Sequence, residues 1–295
     1  PTISRRQRQM CIRDSFSILP GCMTVRIHER KKIRRIEPPL SMTNRTLFKN
    51  MNKPSPSIDL VTFDLDNTLW DVTQTIMAAE KLLRSWMAEH TPAALGIYAS
   101  EQVGVIRQRI LDTCAEKRHD LSFLRTEVLR HCMMEADMTP ADAEENAIQA
   151  FEIFFAARND VAFYPNAIKT LEILSQRYAL YALTNGNANI DRVGIGRFFS
   201  GAVSSADVGA SKPDNQMFTA VLTKAGVAPE RAVHIGDHLS DDIFGANRAG
   251  MRSIWFNHEG QGTNDTDHQP TAEARELVQL PDIIARLNVS HASIG

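Results

Sequence analysis

The stretch IDLVTFDLDNTLWD, residues 58–71, joins an apolar segment to Asp64, Asp66 and Thr68. Its apolar half, residues 58–63, is short and is followed by aspartate and asparagine, which predicts a buried β-strand. The two aspartates then lie at the carboxyl end of that strand. Because they are two residues apart, both carboxylates are able to point toward one site, where their charges repel unless a proton or a cation lies between them.

Further along the chain, strand-like and helix-like segments alternate. The strand-like segments are short, apolar and bounded by Gly, Asn, Asp or Ser: YALYAL (178–183), GAVSSA (201–206), AVHIG (232–236) and RSIWF (252–256). Helical patterns cover residues 166–177, about 189–199, 214–226 and 241–249. Strands that alternate with helices of this length predict an α/β fold with a doubly wound, Rossmann-like parallel sheet.

Residues 72–163 carry helical patterns and no strand signal. Such a segment is too long for a loop in a compact domain, so we expect a separate α-helical domain inserted between the first two strands. The predicted division is therefore an α/β core over 55–71 and 164–265, the helical insertion over 72–163, and a C-terminal tail over 266–295 that packs partly on the core.

Charge is unevenly distributed along the chain. Residues 1–60 carry 13 Lys and Arg against 4 Asp and Glu, whereas the remainder carries 20 against 31. The acidic remainder argues against nucleic acid as a partner. Residues 1–50 lack apolar periodicity, and we expect an extension that is disordered or not native to the protein, with Met42 or Met51 as the start.

Apolar runs and cysteines bear on the environment of the protein. No apolar run approaches the roughly 20 residues that cross a bilayer, so we expect no membrane partner. The cysteines, Cys11, Cys22, Cys114 and Cys132, form no CxxC pair. We therefore expect neither disulfides nor a zinc site, and we expect a cytoplasmic location. Nothing in the sequence fixes the oligomeric state.

The ends of the other predicted strands supply complementary groups. Thr184 and Asn185 begin a turn whose hydroxyl and backbone N–H groups suit phosphate oxygens, and Lys212 lies at the start of a helix. Asp237 and Asp242 follow the fourth strand. Carboxylates, a hydroxyl and a lysine are the groups that magnesium-assisted phosphoryl transfer requires.

The motifs, in this order, resemble those of the haloacid dehalogenase-like hydrolase superfamily. The matching segments are DLDNT (64–68), TNG (184–186), KP (212–213) and GDHLSDD (236–242), and the resemblance covers residues 58–265. It implies a sheet ordered 5-4-1-2-3 and identifies the insertion as an α-helical cap domain of the first type. The flanks FDLDNTLWD, LTNGNA and GDHLSDDIFGANRAGM are similar to the flavin-pathway phosphatases of riboflavin biosynthesis, which act on FMN and a ribitylaminouracil phosphate.

The resemblance also implies roles for the catalytic residues. Asp64 is the expected nucleophile, which forms an aspartyl-phosphate, and Asp66 is the expected acid/base. Thr184, Asn185 and Lys212 are expected to bind phosphate. The Mg²⁺ ligands are expected to be Asp64, the carbonyl of Asp66, and Asp237.

Four further residues are expected to support the site. Asp242 would orient the metal ligands or Lys212 from behind, and Thr68 would brace the turn after the first strand. Trp70, at the hinge, and His238, beside Asp237, are expected to line the mouth and contact substrate.

These roles predict a magnesium-dependent phosphatase that hydrolyses a small-molecule phosphate ester. Three alternatives stay open at this point. A phosphomutase would keep all four motifs, and another hydrolase of the family would take a different sugar phosphate. A 2-haloacid dehalogenase would use the nucleophile without magnesium or an acid/base partner, so the presence of Asp66 counts against it.

Overall fold

The computed structural model describes residues 57–262 and 268–289. The predicted extension over residues 1–50 lies outside the described residues. Within them, no helix combines the length and the hydropathy that a membrane span requires.

A six-stranded parallel sheet forms the centre of the fold. Its strands are β1 (Leu60–Phe63), β2 (Ala179–Thr184), β3 (Gly201–Ser204), β4 (Ala232–Gly236), β5 (Arg252–Phe256) and β6 (Ala272–Ala274). Their order is β3-β2-β1-β4-β5-β6, and every neighbouring pair is parallel. The sheet confirms the α/β prediction and the order 5-4-1-2-3, and it adds β6 beside β5.

The helices fall into two groups. The first group lies between β1 and β2 and is called the cap below: α1 (Val72–His90), α2 (Pro92–Tyr98), α3 (Gln102–Thr113), α4 (Leu121–Glu135) and α5 (Pro140–Arg158). The second group accompanies the sheet: α6 (Ala167–Ser175), α7 (Ser205–Val208), α8 (Asn215–Ala225), α9 (Gly245–Arg248) and α10 (Leu280–Val289).

Both faces of the sheet are buried. On one face Val61 and Phe63 pack in an apolar cluster that includes residues of α6 and α10. On the other face Leu60 packs in a cluster with Phe218 of α8. Because β1 has buried apolar side chains on both faces, three of its four residues are apolar, as expected for a parallel sheet covered by helices.

The C-terminal segment is part of the core. Ile284 of α10 is fully buried, and the Asn288 side chain accepts a hydrogen bond from the backbone N–H of Ile58, at 2.7 Å. Together with β6, α10 therefore completes the sheet unit. The sequence analysis placed these residues in a tail because β6 is only three residues long and gives no strand signal of its own.

The prediction of a helix over residues 189–199 is wrong. The segment is a series of turns with one short 3₁₀ turn, Gly196–Phe198. The Asn189 side chain accepts hydrogen bonds from the backbone N–H groups of Asp191 and Arg192, and Gly194 has a positive φ of 84°. Asparagine and glycine favour such turns over a helix, which outweighs the apolar spacing.

The cap has an apolar core of its own. Helix α1 begins at Asp71, whose side chain accepts hydrogen bonds from the backbone N–H groups of Thr73 and Gln74. Its buried stripe includes Ala79 and Leu83, and these side chains belong to the same cluster as the buried residues of α5. The cluster is separate from the two that cover the sheet, so the cap has its own packing energy.

Two adjacent leucines of α1 test this packing. Leu83 is fully buried, whereas Leu82 is 50% exposed. Leu83→Ala leaves a cavity in the cap and is expected to cost about 2–5 kcal/mol of unfolding free energy. Leu82→Ala is the matched control and should change stability by less than about 0.5 kcal/mol. Urea titrations followed by circular dichroism measure both, and similar losses would contradict the assigned packing.

Candidate active site

Groups from three strands meet at one edge of the sheet. Asp64 follows β1, Thr184 ends β2, and Asp237 follows β4. Because β1 lies between β2 and β4, the carboxyl ends of these strands are adjacent, which is where ligands bind in open α/β sheets. All three side chains are buried.

Lys212 lies between the carboxylates of Asp64 and Asp242. The residue is 3% exposed, and its Nζ donates hydrogen bonds to Asp64 Oδ1 at 2.7 Å and to Asp242 Oδ1 at 2.6 Å. Asn185 holds the backbone of Lys212, since its Oδ1 accepts from the lysine N–H at 2.7 Å and its Nδ2 donates to the lysine carbonyl at 3.0 Å. The Asn185 amide therefore positions Lys212. If Asn185 also contacts phosphate, as predicted, it would do so through its backbone rather than through this amide.

Asp242 is fixed by donors on three sides. Besides Lys212, the ring of His234 lies 3.0 Å from Asp242 Oδ1, and the backbone N–H of His238 donates to Oδ2 at 2.9 Å. His234 also bonds to the hydroxyl of Thr62 at 2.8 Å. This network places Asp242 in direct contact with Lys212. That it orients Lys212 or the metal ligands stays a prediction.

The pKa values of Asp64 and Asp242 are shifted in opposite directions by their surroundings. Burial raises the pKa of Asp64 to about 7, although the Lys212 ammonium opposes this shift. Burial alone would also raise the pKa of Asp242, but Lys212 and the hydrogen bond from His234 outweigh it and lower that pKa. The two carboxylates in turn hold the pKa of Lys212 above its usual value, despite the burial of its ammonium.

Three carboxylates form a group that fits a hard divalent cation. Oxygens of Asp64, Asp237 and Asp242 all lie within 4.8 Å of one another. Oxygen-only donors are the set that Mg²⁺ prefers, and a single lysine leaves the group with excess negative charge. The group contains the predicted ligands Asp64 and Asp237 and adds the carboxylate of Asp242. The expected ligand from Asp66 is its backbone carbonyl, which stays a prediction.

The side chain of Asp66 is held by two donors outside this group. Arg158 Nη2 donates to both of its oxygens, at 2.8 Å and 2.6 Å, and Trp70 Nε1 donates to Oδ1 at 2.9 Å. The sequence analysis missed Arg158. An arginine at the end of a helix is typical of a side chain that complements the helix dipole, so the sequence gives no signal of this contact.

The turn after β2 lies against the same carboxylate. Thr184 Oγ1 accepts a hydrogen bond from the backbone N–H of Gly186 at 2.9 Å. A Cβ atom at Gly186 would lie 2.5 Å from Asp66 Oδ2 and 3.3 Å from both Thr184 Oγ1 and Arg158 Nη2. Only glycine therefore leaves room for Asp66 beside the predicted phosphate-binding turn.

The expectation that Trp70 lines the mouth is wrong. Trp70 is 0% exposed, and its ring packs edge-on against Phe163 with 5.8 Å between centroids. Its indole face is thus not open to a substrate, and its N–H serves Asp66 instead. The chain returns from the cap directly beside Trp70, where Tyr164 N–H donates to the Leu69 carbonyl. This second connection buries the indole.

Thr68 and His238 lie near the site without a demonstrated contact to substrate. The Thr68 side chain is buried, and among the described residues its hydroxyl has no hydrogen-bond partner, so any bracing comes from packing and backbone. The His238 ring is partly exposed and accepts a hydrogen bond from the backbone N–H of Asp241 at 3.0 Å. A substrate contact by His238 stays a prediction.

Comparisons with known proteins give a consistent family. The family model of the haloacid dehalogenase-like hydrolases matches residues 58–250. The 5-amino-6-(5-phospho-D-ribitylamino)uracil phosphatase YigB of Escherichia coli is 29% identical over 79% of this chain and 98% of its own length. This match confirms the predicted resemblance to the flavin-pathway phosphatases.

Other relatives carry different names. The glyceraldehyde 3-phosphate phosphatase of Methanopyrus kandleri is 28% identical over 78% of this chain and 98% of its own length. A crystal structure of a 2-haloacid dehalogenase from Pseudomonas syringae pv. Tomato is 43% identical, covers 78% of this chain and 99% of its own, and superposes with a TM-score of 0.74.

Removing the Lys212 charge tests the electrostatics of the site. In Lys212→Met, buried Asp64 and Asp242 lose their common partner, which should cost about 3–5 kcal/mol in metal-free protein near pH 8. Without the ammonium, burial acts on both carboxyl groups with less opposition and raises their pKa values relative to the wild type. The folded variant then binds more protons than the unfolded state, so its stability should recover as the pH falls from 8 to 5.5.

Thermal unfolding in EDTA at both pH values measures this effect. Lys224→Met is the matched control, because Lys224 is exposed and its Nζ bonds the backbone carbonyl of Ala202 in β3 rather than a buried carboxylate. A loss in Lys212→Met that is equal at both pH values would contradict the proposed charge balance.

Proposed function

The chain belongs to the haloacid dehalogenase-like hydrolase family and hydrolyses phosphoric monoesters; we propose that it does so with Mg²⁺ and through an aspartyl-phosphate on Asp64. The observation that carries this proposal is the arrangement around Asp64. One buried lysine, two further buried carboxylates and the turn after β2 surround it.

Asp64 is suited to act as the nucleophile. Lys212 holds Oδ1, and within residues 57–262 and 268–289 Oδ2 accepts no hydrogen bond, which leaves that oxygen for attack on phosphorus. Attack breaks the ester bond, and the alcohol leaves as the phosphoryl group is transferred to Asp64. Lys212 and Thr184 would hold the phosphoryl oxygens during transfer.

Asp66 is suited to the proton transfers. It lies beside the turn after β2, where the Gly186 position meets both its carboxylate and Thr184 Oγ1. From there it would protonate the leaving alcohol and later deprotonate the water that releases phosphate from Asp64.

The acidic group would hold the cation. Asp64, Asp237 and Asp242 would bind Mg²⁺, and the carbonyl of Asp66 stays a predicted fourth ligand. When bound, the cation would offset the charge of the transferring phosphoryl oxygens.

The contacts between the cap and the core favour a small-molecule substrate. Segment 119–122 of the cap contacts the loops that carry the site: Ser205 Oγ donates to the His119 carbonyl at 2.8 Å, and Asn187 Nδ2 donates to Ser122 Oγ at 3.1 Å. A site covered in this way suits a soluble ester better than a folded macromolecule. We propose a ribitylaminouracil phosphate, in line with the relative from E. coli, or FMN, in line with the resemblance of the motif flanks.

A second candidate is a 2-haloacid dehalogenase. It is favoured by the 43% identity to the crystal structure of that name. This reaction would use Asp64 to displace halide and needs no acid for the leaving group. The fixed carboxylate of Asp66 and the acidic group around Asp64 are better accounted for by phosphate chemistry.

One assay separates the two candidates. Purified protein is offered FMN, 5-amino-6-(5-phospho-D-ribitylamino)uracil, glyceraldehyde 3-phosphate and 2-chloropropionate, and the release of phosphate and of chloride is measured. Phosphate release is expected, and Asp64→Asn should lower it by at least about 10³-fold. Asp59→Asn is the control, because Asp59 is a partly exposed aspartate just before β1, at the opposite end of that strand from Asp64. Chloride release without phosphate release would reverse the assignment.

Metal dependence tests the acidic group separately. EDTA should abolish phosphate release and Mg²⁺ should restore it. Asp237→Asn should raise the Mg²⁺ concentration needed for half-maximal rate by about tenfold or more, because it removes one anionic ligand. Asp241→Asn, four residues away and outside the acidic group, should leave that concentration within about threefold. Full activity after rigorous chelation would exclude the proposed role of the metal.

A further inference from the structure

Arg158 is a buried charge for which the family motifs provide no role. It is the last residue of α5, and its side chain is 1% exposed. Burying a guanidinium costs several kcal/mol unless a charge partner and hydrogen bonds compensate it. Its charge partner is Asp66, across the boundary between the cap and the core.

The pair has a geometry that fixes the carboxylate. Arg158 Nη2 lies 2.8 Å from Asp66 Oδ1 and 2.6 Å from Oδ2, and Nε lies 3.3 Å from Asn187 Oδ1. Trp70 Nε1 approaches Oδ1 from the other connection between cap and core. Donors on both oxygens leave the carboxyl group little freedom to rotate.

One part of the guanidinium is left unsatisfied. Within the described part of the chain, Arg158 Nη1 is buried and has no hydrogen-bond partner. An unpaired buried donor is unfavourable and calls for an explanation. Here Arg158 donates to Asp66 through Nη2 and leaves its Nη1 donor unpaired. This indicates that the contact with Asp66 determines where the guanidinium lies.

We propose that Arg158 is a positioning residue that holds the Asp66 carboxylate beside the Thr184–Gly186 turn for proton transfer to and from the reacting oxygens. This inference rests on the proposed phosphatase reaction. Without Arg158, one hydrogen bond from Trp70 would remain, and the carboxylate would rotate away from the turn.

The consequence is specific to the step that Asp66 serves. Help from a general acid matters most for a basic leaving group and least for an activated one. Loss of Arg158 should therefore slow an alkyl phosphate more than an aryl phosphate. Phosphate binding by Lys212 and Thr184 should be unaffected, because neither residue bonds Arg158.

The experiment compares kcat/KM for glycerol 1-phosphate and 4-nitrophenyl phosphate in wild type, Asp66→Asn, Arg158→Met and the double variant. Arg192→Met is the matched control, because Arg192 also joins α5 to the core, through an exposed ion pair with Glu152. Arg158→Lys keeps the positive charge but not the two-oxygen contact. It replaces Arg158→Met in the comparison if circular dichroism shows that Arg158→Met does not fold. Inhibition by inorganic phosphate reports binding independently of turnover.

Arg158→Met should lower kcat/KM at least about tenfold more for the glycerol ester than for the aryl ester, and Asp66→Asn should show the same selectivity. The double variant should fall no more than about twofold below Asp66→Asn, because both changes remove one function. Inhibition by phosphate and the rates of Arg192→Met should stay within about threefold of wild type.

Two results would overturn the inference in different ways. If the wild type releases phosphate but Arg158→Met loses equally on both esters, or its loss multiplies with that of Asp66→Asn, Arg158 has a structural role only. If the wild type releases no phosphate from either ester, the proposed function itself fails, and the role of Arg158 fails with it.

Discussion

The buried ammonium of Lys212 is the interaction on which the arrangement of the site depends. It contacts Asp64, 148 residues away in sequence, and Asp242, 30 residues away. Each of these charges is expensive to remove from water, and each is compensated only while the others stay in place. The contact therefore fixes the end of β1, the loop before α8 and the segment after β4 relative to one another.

The parallel sheet provides the geometry that this charge pairing needs. With β1 between β2 and β4, the ends of three strands meet at one edge and bring their polar residues together. One lysine does not balance the three acids Asp64, Asp237 and Asp242. Burial is the main cause of the raised pKa of Asp64, and the negative charge of neighbouring carboxylates adds to it. The same negative charge would favour a divalent cation at the proposed site.

The sequence predicts the parts of the molecule that local pattern determines. Apolar runs mark β1 to β5, and the aspartates and lysine at strand ends mark the site, because strand ends converge in any parallel sheet. Three features escape such reasoning. Strand β6 is too short for a signal, the turns at 189–199 depend on asparagine hydrogen bonds, and Trp70 and Arg158 meet Asp66 only through tertiary packing. A side chain that acts across the boundary between two units leaves no periodic trace in either one.

The contacts of Trp70 and Arg158 with Asp66 join the cap to a residue of the core. By sequence, Asp66 belongs to the core, yet its donors lie on the two connections to the cap, Trp70 before α1 and Arg158 at the end of α5. Under the proposed mechanism, a shift of the cap that displaced these donors would also change the orientation of Asp66. Proton transfer would then depend on the cap position that a substrate requires, and the two connections would carry that dependence.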